Sequence, residues 1–117
     1  TKEEFQFMND NNQLVNFLPG GNTQELKKAL LPYSNSPIYL TIDLDWFDPS
    51  LLAGTGTPEP GGFFWNDFEE ILKTLKDFRI VASDIVELSP EIDKSGVSSI
   101  VAAKVLRSLI LSLENMQ

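Results

Sequence analysis

Strand-like and helix-like segments alternate along the last two-thirds of the chain. Residues 37–42 and 79–88 are short runs rich in β-branched and other apolar residues, which predicts two buried strands. Over about 66–77 and about 95–113, apolar residues recur at helical spacing, which predicts a helix between the strands and another after them. Residues 48–64 hold four glycines and three prolines, so a long irregular loop is expected there, and such loops are usually functional or disordered.

The first third of the chain carries weaker signals. Residues 1–17 predict a helical turn and then a short strand around Leu14. Asn22 and Glu25 have the spacing of a capping box, which predicts a helix that begins there and stops at Pro32. The positions that this helix would bury are Leu26, Ala29 and Leu30.

The two later helices have more specific signals. Asn66 and Glu69 again have capping-box spacing, so the first of these helices is expected to begin at Asn66. The final helix is apolar almost all round, and such a helix is normally covered on more than one face. The residues that it places at helical spacing are Val97, Ile100, Val101, Val105, Leu106, Leu109 and Leu113.

The alternation of strands and helices predicts the fold class. Strands that are apolar on both faces are typical of a parallel sheet between two helix layers, so we expect an α/β fold with a three-layer α/β/α arrangement. Two or three strands are few for that architecture. Residues 1–117 are therefore interpreted as a portion of a single domain.

Composition excludes several kinds of chemistry. The 117 residues include no cysteine and no histidine, and the formal net charge is −8 at pH 7. Nucleic-acid binding is not expected, because it needs clustered Lys and Arg. No membrane span or secretion signal is recognisable, so a cytoplasmic protein is expected. A thiol nucleophile, a Ser-His-Asp triad and His-ligated metal are excluded within these residues, which leaves carboxylates, hydroxyls and backbone groups.

Acidic residues cluster at the ends of both predicted strands. Asp43, Asp45 and Asp48 follow the first strand, and Asp84 and Glu87 end the second. Asp43 and Asp45 would point to one face, about 7 Å apart, if strand geometry persisted. Ligands of α/β sheets bind at the carboxyl ends of strands, and Mg²⁺ and Mn²⁺ prefer oxygen ligands, so a divalent-cation site is one interpretation. Turn formation and helix capping are the other, and spacing alone leaves both open.

A family resemblance is carried by residues 41–62, TIDLDWFDPSLLAGTGTPEPGG. This segment closely resembles the carboxy-terminal metal signature of the ureohydrolases, the family of arginase and agmatinase. Residues 81–110 and 1–8 are similar to the neighbouring stretches of agmatinases. The resemblance covers nearly the whole chain and implies roughly the last two-fifths of an arginase-like α/β/α domain.

The resemblance implies roles for single residues. Asp43 and Asp45 match two aspartates that bind metal. Glu87 matches the carboxylate that holds the substrate guanidinium, and Thr57 matches a loop threonine near that group. A carboxylate suits a planar guanidinium because it accepts paired hydrogen bonds. Asp48 matches an acid that lies behind the ligands or forms a turn.

The same resemblance implies a cofactor and partners. Two Mn²⁺ ions, or Ni²⁺ or another divalent ion, would activate a bridging hydroxide that hydrolyses a guanidino compound to urea and an amine. The other ligands, two His and two Asp, belong to upstream motifs that this chain lacks. The isolated chain therefore has no complete catalytic set and is expected to be inactive. Its expected partners are a missing N-terminal portion, a small guanidino substrate and, in the complete enzyme, the other subunits of a trimer or hexamer.

Departures from the family pattern and two alternatives remain. Ala53 stands where the loop usually has Pro, and Trp46 and Phe47 are bulkier than usual, although packing is the commoner role of such aromatic residues. One alternative is a non-catalytic α/β module with an acidic divalent-cation site. The other is an isolated piece that self-associates to cover its sheet edge and its apolar final helix.

Overall fold

The computed structural model describes residues 1–11 and 23–114. Its helices and strands follow the predicted order. They are α1 (Lys2–Asp10), α2 (Gln24–Leu30), β1 (Ile38–Asp43), α3 (Trp65–Leu75), β2 (Ile80–Val86) and α4 (Val97–Glu114). Short 3₁₀ turns follow α2 at Leu31–Tyr33 and β1 at Leu44–Trp46.

The two strands form a parallel pair. The pairing runs from Ile38 opposite Ile80 to Asp43 opposite Val86, with an irregularity directly after Ile38. Because the strands are parallel and α3 forms the crossover, their carboxyl ends lie at the same edge of the sheet. Within the described residues the sheet has these two strands. The loops that follow Asp43 and Val86 are thereby brought together.

The core forms where α3 and α4 meet one face of the sheet. Its buried members are Leu44, Phe47, Leu52, Phe68, Leu72, Ala102, Val105 and Leu109. Three sheet residues pack against them: Leu40, Ile42 and Ile85. Leu44 and Phe47 are at most 1% exposed, so the segment that leaves β1 is anchored directly beyond Asp43.

The other face of β1 is open in the described part of the chain. Tyr39, Thr41 and Asp43 are exposed, and they alternate with half-buried apolar residues. The prediction that both faces are apolar is therefore wrong for β1. Tyr and Thr have high strand propensity, and their presence in a short run made a one-sided strand resemble a two-sided one.

Helix α4 buries one stripe of residues. Its buried residues are Ser98, Ala102, Val105, Leu109 and Ser112. Val97, Ile100 and Leu106 are 49%, 69% and 51% exposed, so within the described residues the helix is not covered on more than one face as expected. The small side chains of the stripe allow close approach of α4 to the core, which an apolar pattern alone does not indicate. Val101 packs against the core, and the side chain of Leu113 lies outside the described residues.

Helix α3 begins by a different cap from the predicted one. Phe64 is the residue before the helix, and its backbone N–H donates a hydrogen bond of 2.8 Å to Oδ2 of Asp67. The capping box predicted at Asn66 and Glu69 is therefore wrong, since the acid that reaches back is Asp67. The capping bond joins Phe64 and Asp67, two residues before the expected pair, and the helix accordingly begins at Trp65 instead of Asn66.

Helix α2 follows Thr23, which makes no side-chain capping bond. The predicted capping residue, Asn22, lies outside the described residues. The positions expected to be buried in α2 are half-buried: Leu26, Ala29 and Leu30. The helix continues into the 3₁₀ turn that contains Pro32, which agrees with the predicted end.

Helix α1 confirms the helical turn predicted at the start of the chain. It is longer than one turn, and a capping box between Thr1 and Glu4 begins it. None of its residues is buried. The strand predicted around Leu14 lies outside the described residues. In the ranges that the structure describes, no helix combines the length and apolar character needed to cross a membrane.

Candidate functional site

The turn after β1 determines where Asp43 and Asp45 lie. Oδ1 of Asp43 accepts a hydrogen bond of 2.9 Å from the backbone N–H of Asp45, and this contact begins the 3₁₀ turn. Strand geometry therefore ends at Asp43, so the condition under which the two side chains would share a strand face is not met. Aspartate often bonds the backbone two residues ahead, which offers the chain an alternative to strand pairing. Asp43 remains exposed, whereas Asp45 is half-buried.

Asp45 contacts the glycine-rich loop. The hydroxyl of Thr57 donates a hydrogen bond to Oδ2 of Asp45. Oδ1 of the same carboxylate is buried and has no hydrogen-bond partner in the described part of the chain. A buried polar atom without a partner costs about 1–3 kcal/mol, more for a charged group, and a cation would remove that cost. Two of the four predicted site residues are thus in direct contact.

Glu87 follows β2 in an unusual backbone conformation. Its φ angle is 68°, in the left-handed region that residues with a side chain rarely adopt. Strain of this kind costs about 1–3 kcal/mol and is found most often at functional sites. Because Val86 pairs with Asp43, Glu87 lies one residue beyond Asp43 at the same sheet edge. The strand thus ends two residues earlier than predicted, and the side chain of Glu87 is exposed.

Asp48 organises the loop rather than facing the other acids. Its Oδ1 accepts hydrogen bonds from the Ser50 hydroxyl at 2.5 Å and the Ser50 N–H at 2.9 Å, and its Oδ2 accepts one from the Gly61 N–H at 2.9 Å. The bonds from Ser50, then that from Gly61, hold the pKa of Asp48 below its usual value. The loop is thereby closed on itself between Asp48 and Gly61. This is the turn role that the sequence left open for Asp48.

A network that sequence reasoning missed connects this loop to the start of α4. Oδ2 of Asp93 accepts hydrogen bonds from the N–H of Ser98 at 2.8 Å and from its hydroxyl at 2.7 Å. The hydroxyl oxygen of Ser98 accepts a bond of 2.8 Å from the N–H of Gly54. The carbonyl of Gly54 accepts a bond of 2.7 Å from the N–H of Ser89. The sequence signal for this network is Asp-x-Ser-x-x-Ser, residues 93–98, at the start of an apolar helix.

Asp84 does not join the cluster at the strand ends. It lies inside β2, opposite Thr41, and accepts hydrogen bonds from the Thr41 hydroxyl and, at 2.6 Å, from the Tyr39 hydroxyl. The bond from Thr41, then that from Tyr39, lowers the pKa of Asp84, and the same contact raises the pKa of Tyr39. The prediction that Asp84 lies at the strand end is therefore wrong, because β2 continues two residues past it.

The aromatic residues between the acids are packing residues. Phe47 is 1% exposed and belongs to the core. Trp46 stacks on Phe63 with ring centroids 4.1 Å apart and an angle of 9° between the planes. This confirms the interpretation that packing is their main role. Ala53, the departure in the loop, is exposed.

A groove of about 260 Å³ runs between β1 and α3. Its lining is almost entirely apolar, with Asp43 at the polar end. Such a lining does not suit a metal ion or a charged ligand. The groove is distinct from the contact between Asp45 and Thr57, because neither residue lines it.

The two aspartates of the turn are the carboxylates that the resemblance implies as metal ligands. Within residues 1–11 and 23–114, no three acidic side chains converge in a way that would hold a metal ion. Asp43 and Asp45 nevertheless offer oxygen donors of the type that Mn²⁺ and Mg²⁺ prefer, and the buried free Oδ1 of Asp45 fits a cation. A full coordination shell would need ligands from outside the described residues.

Comparison with known proteins identifies the family of this chain. Residues 8–112 match the arginase family. The chain belongs to the arginase family. A crystal structure of a candidate agmatinase from Clostridium difficile matches it with a TM-score of 0.81 and 44% sequence identity, over 97% of this chain and 41% of that one. This confirms the predicted α/β class as the fold of the arginase family.

Two curated relatives indicate the range of the family. The agmatinase of Chromobacterium violaceum is 37% identical over 91 residues, which are 78% of this chain and 27% of the relative. The proclavaminate amidinohydrolase of Streptomyces clavuligerus is 36% identical over 74 residues, which are 63% of this chain and 24% of the relative. This arginase-family chain thus spans less than a third of the length of either curated relative.

Proposed function

We propose that this chain is the C-terminal part of a manganese-dependent, agmatinase-type ureohydrolase that hydrolyses a guanidino compound to urea and an amine. The observation that carries the proposal is the carboxylate of Asp45, with one oxygen bonded to Thr57 and the other buried without a partner. The similarity of this chain to the arginase family, to an agmatinase and to a proclavaminate amidinohydrolase supports the proposal.

Asp43 and Asp45 would bind the metal. The hydrogen bond from the Asp45 N–H to Asp43 fixes the turn between them, and the bond from Thr57 fixes the orientation of the Asp45 carboxylate. The bound metal would lower the pKa of water and so supply the hydrolytic nucleophile at neutral pH. Because the described residues provide two ligands, the remaining ligands would come from a preceding portion of the protein.

Glu87 would bind the guanidinium of the substrate. It follows β2 at the sheet edge where Asp43 and Asp45 follow β1, so a substrate held there would lie beside the metal. An exposed carboxylate accepts two parallel hydrogen bonds from a guanidinium, which fixes the plane and the position of the scissile carbon. The left-handed backbone of Glu87 sets the direction in which this side chain leaves the strand.

Agmatine is the first substrate to test, because agmatinases are among the relatives and the structural neighbours. Arginine and guanidinobutyrate are the competing guanidino compounds. The three differ at the end remote from the guanidinium, and Ala53 is the exposed loop residue where this chain departs from the family pattern. The complete enzyme would be a homo-oligomer, for which the exposed apolar side chains of α4 provide contact surface.

A chimera tests the proposal directly. Residues 1–117 replace the matching part of the Clostridium difficile protein, and urea release from agmatine is measured with and without Mn²⁺. We expect Mn²⁺-dependent urea release from the chimera and none from the 117-residue chain alone. Asp43→Ala and Asp45→Ala in the chimera should each abolish the activity, whereas Glu59→Ala, a change to an exposed acid of the same loop, should not.

Two outcomes would contradict the proposal. Urea release by the isolated chain would show that the missing ligands are not needed. A folded chimera that binds Mn²⁺ but hydrolyses none of the three guanidino compounds would instead favour a non-catalytic module with a divalent-cation site.

A further inference from the structure

The backbone of Gly54 joins the two loops that carry Thr57 and Glu87. On its carbonyl side it accepts the hydrogen bond from Ser89, two residues after Glu87. On its amide side it donates to the hydroxyl of Ser98, and three residues later Thr57 contacts Asp45. The metal-side loop and the guanidinium-side loop are thus connected through the backbone of a single residue.

The hydroxyl of Ser98 has a defined orientation. An ionised Asp93 can only accept hydrogen bonds, so the hydroxyl donates to Asp93 and turns a lone pair toward the N–H of Gly54. Ser98 is 1% exposed, so water cannot easily replace this bond. Capping of α4 is already provided by Asp93, which accepts the N–H groups of Ser95 and Ser98. The bond to Gly54 therefore serves the loop and is not needed to begin the helix.

The contact between Gly54 and Ser98 leaves no room for adjustment. A Cβ added at Gly54 would lie 2.8 Å from Cβ of Ser98 and 2.9 Å from its hydroxyl oxygen. Real Cβ atoms do not approach other atoms so closely. The close approach of the loop to α4 therefore requires a residue without a side chain at position 54.

We propose that Ser98, oriented by Asp93, is a positioning residue that sets the placement of Thr57 relative to Glu87. Its importance for substrate binding rests on the proposed function, since it matters there only if Glu87 holds the guanidinium. The connection itself can be tested in the 117-residue chain without any catalytic assay. Failure of the connection and failure of the proposed function are therefore separate results.

Nuclear magnetic resonance of the ¹⁵N-labelled chain provides the test. In Ser98→Ala, the Gly54 N–H loses its acceptor, and loss of one buried hydrogen bond corresponds to about tenfold faster amide exchange. We expect this acceleration at Gly54 and Ser89, together with changed amide shifts at Thr57 and Glu87. Ser112→Ala is the matched control, because it removes a buried hydroxyl from the same helix far from the loop, and it should leave these four amides unchanged.

A purely structural role would give a different result. If Ser98→Ala lowers the stability of α4 but leaves the shifts of Thr57 and Glu87 at their original values, the proposal is wrong. A measurement on the unsubstituted chain covers the case in which the variant does not fold. Gly54, Ser89 and Ser98 should then exchange at rates within about threefold of one another, once corrected for intrinsic rates, because they open together. Gly54 exchange as fast as that of the exposed residue Gly56 would overturn the connection.

Discussion

The hydroxyl of Thr57 donates a hydrogen bond to one oxygen of Asp45, while the other oxygen of Asp45 is buried without a partner. The bond from Thr57 holds the carboxylate in place, whereas burial of the other oxygen without a partner is unfavourable. A carboxylate with a fixed orientation and one free oxygen is suited to binding a cation, and without a cation its burial is unfavourable. Removal of this carboxylate should therefore affect metal binding strongly and stability little.

Asp45→Ala should therefore weaken Mn²⁺ binding without weakening the fold. Removal of the unpartnered oxygen offsets the lost bond from Thr57, so the free energy of unfolding of the metal-free chain should change by no more than about 1 kcal/mol. The affinity for Mn²⁺ should fall at least tenfold. Denaturant unfolding and calorimetric titration measure the two quantities separately.

Glu59→Ala is the control for charge. It removes one negative charge from the same loop at an exposed position, so its effect on Mn²⁺ affinity should stay within about twofold because solvent screens the exposed charge. If both variants reduce the affinity equally, the affinity depends on the total negative charge of this region and Asp45 is not a ligand.

The predictability of the site from sequence differs between residues for physical reasons. The two strands, the long loop and the final helix follow from periodicity and turn residues, because these depend on near neighbours in the chain. The positions of Asp45 and Glu87 depend on local competition that periodicity does not show. Asp43 bonds the next turn and ends the strand, and the left-handed backbone of Glu87 ends the other strand early.

The core face of α4 does not follow from its apolar pattern. Ile100 and Leu106 are apolar and exposed, whereas the polar residue Ser98 is buried. Which side of an all-round apolar helix meets the core depends on close approach, and small residues favour it. The polar network from Asp93 through Ser98 to Gly54 determines that approach, and it becomes visible only when segments distant in sequence are brought together.

Substitutions in α4 distinguish its two faces. Val105 has no exposed surface, so Val105→Ala should lower the free energy of unfolding by about 2 kcal/mol through lost burial and the cavity left behind. Ile100 is 69% exposed, so Ile100→Ala should change it by less than about 0.5 kcal/mol in the isolated chain. Urea unfolding of both variants measures the difference. Equal costs would mean that Ile100 is covered in solution, which would support self-association of the isolated chain.

Two glycines of the loop should respond differently to alanine. A Cβ at Gly62 would lie 2.6 Å from the backbone nitrogen of Asp48 and 2.7 Å from the carbonyl carbon of Phe47, so Gly62→Ala must displace backbone. We expect it to lower the free energy of unfolding by about 2 kcal/mol. Gly56 has nothing within 4 Å of such a Cβ, and Gly56→Ala should be neutral or stabilise by up to about 0.5 kcal/mol. Thermal unfolding of the matched pair tests the close approach at Gly62.

Acid should destabilise the chain partly through Asp93. Hydrogen bonds from Ser95, then from Ser98, hold the pKa of Asp93 well below its usual value of 3.8. The folded state therefore binds this proton more weakly than the unfolded state, so the contribution of Asp93 is fully present well above pH 3.8 and is lost as the pH falls toward the lower folded pKa.

Asp93→Asn should be less stable than the original chain at pH 7 and should lose stability less steeply below about pH 4. Ser95→Ala removes the hydrogen bond that lowers the pKa of Asp93 most, so it should also make the loss of stability below about pH 4 less steep, by a smaller amount. Unfolding curves of Asp93→Asn and the original chain that stay parallel from pH 7 to pH 2 would show that these bonds do not stabilise the ionised carboxylate.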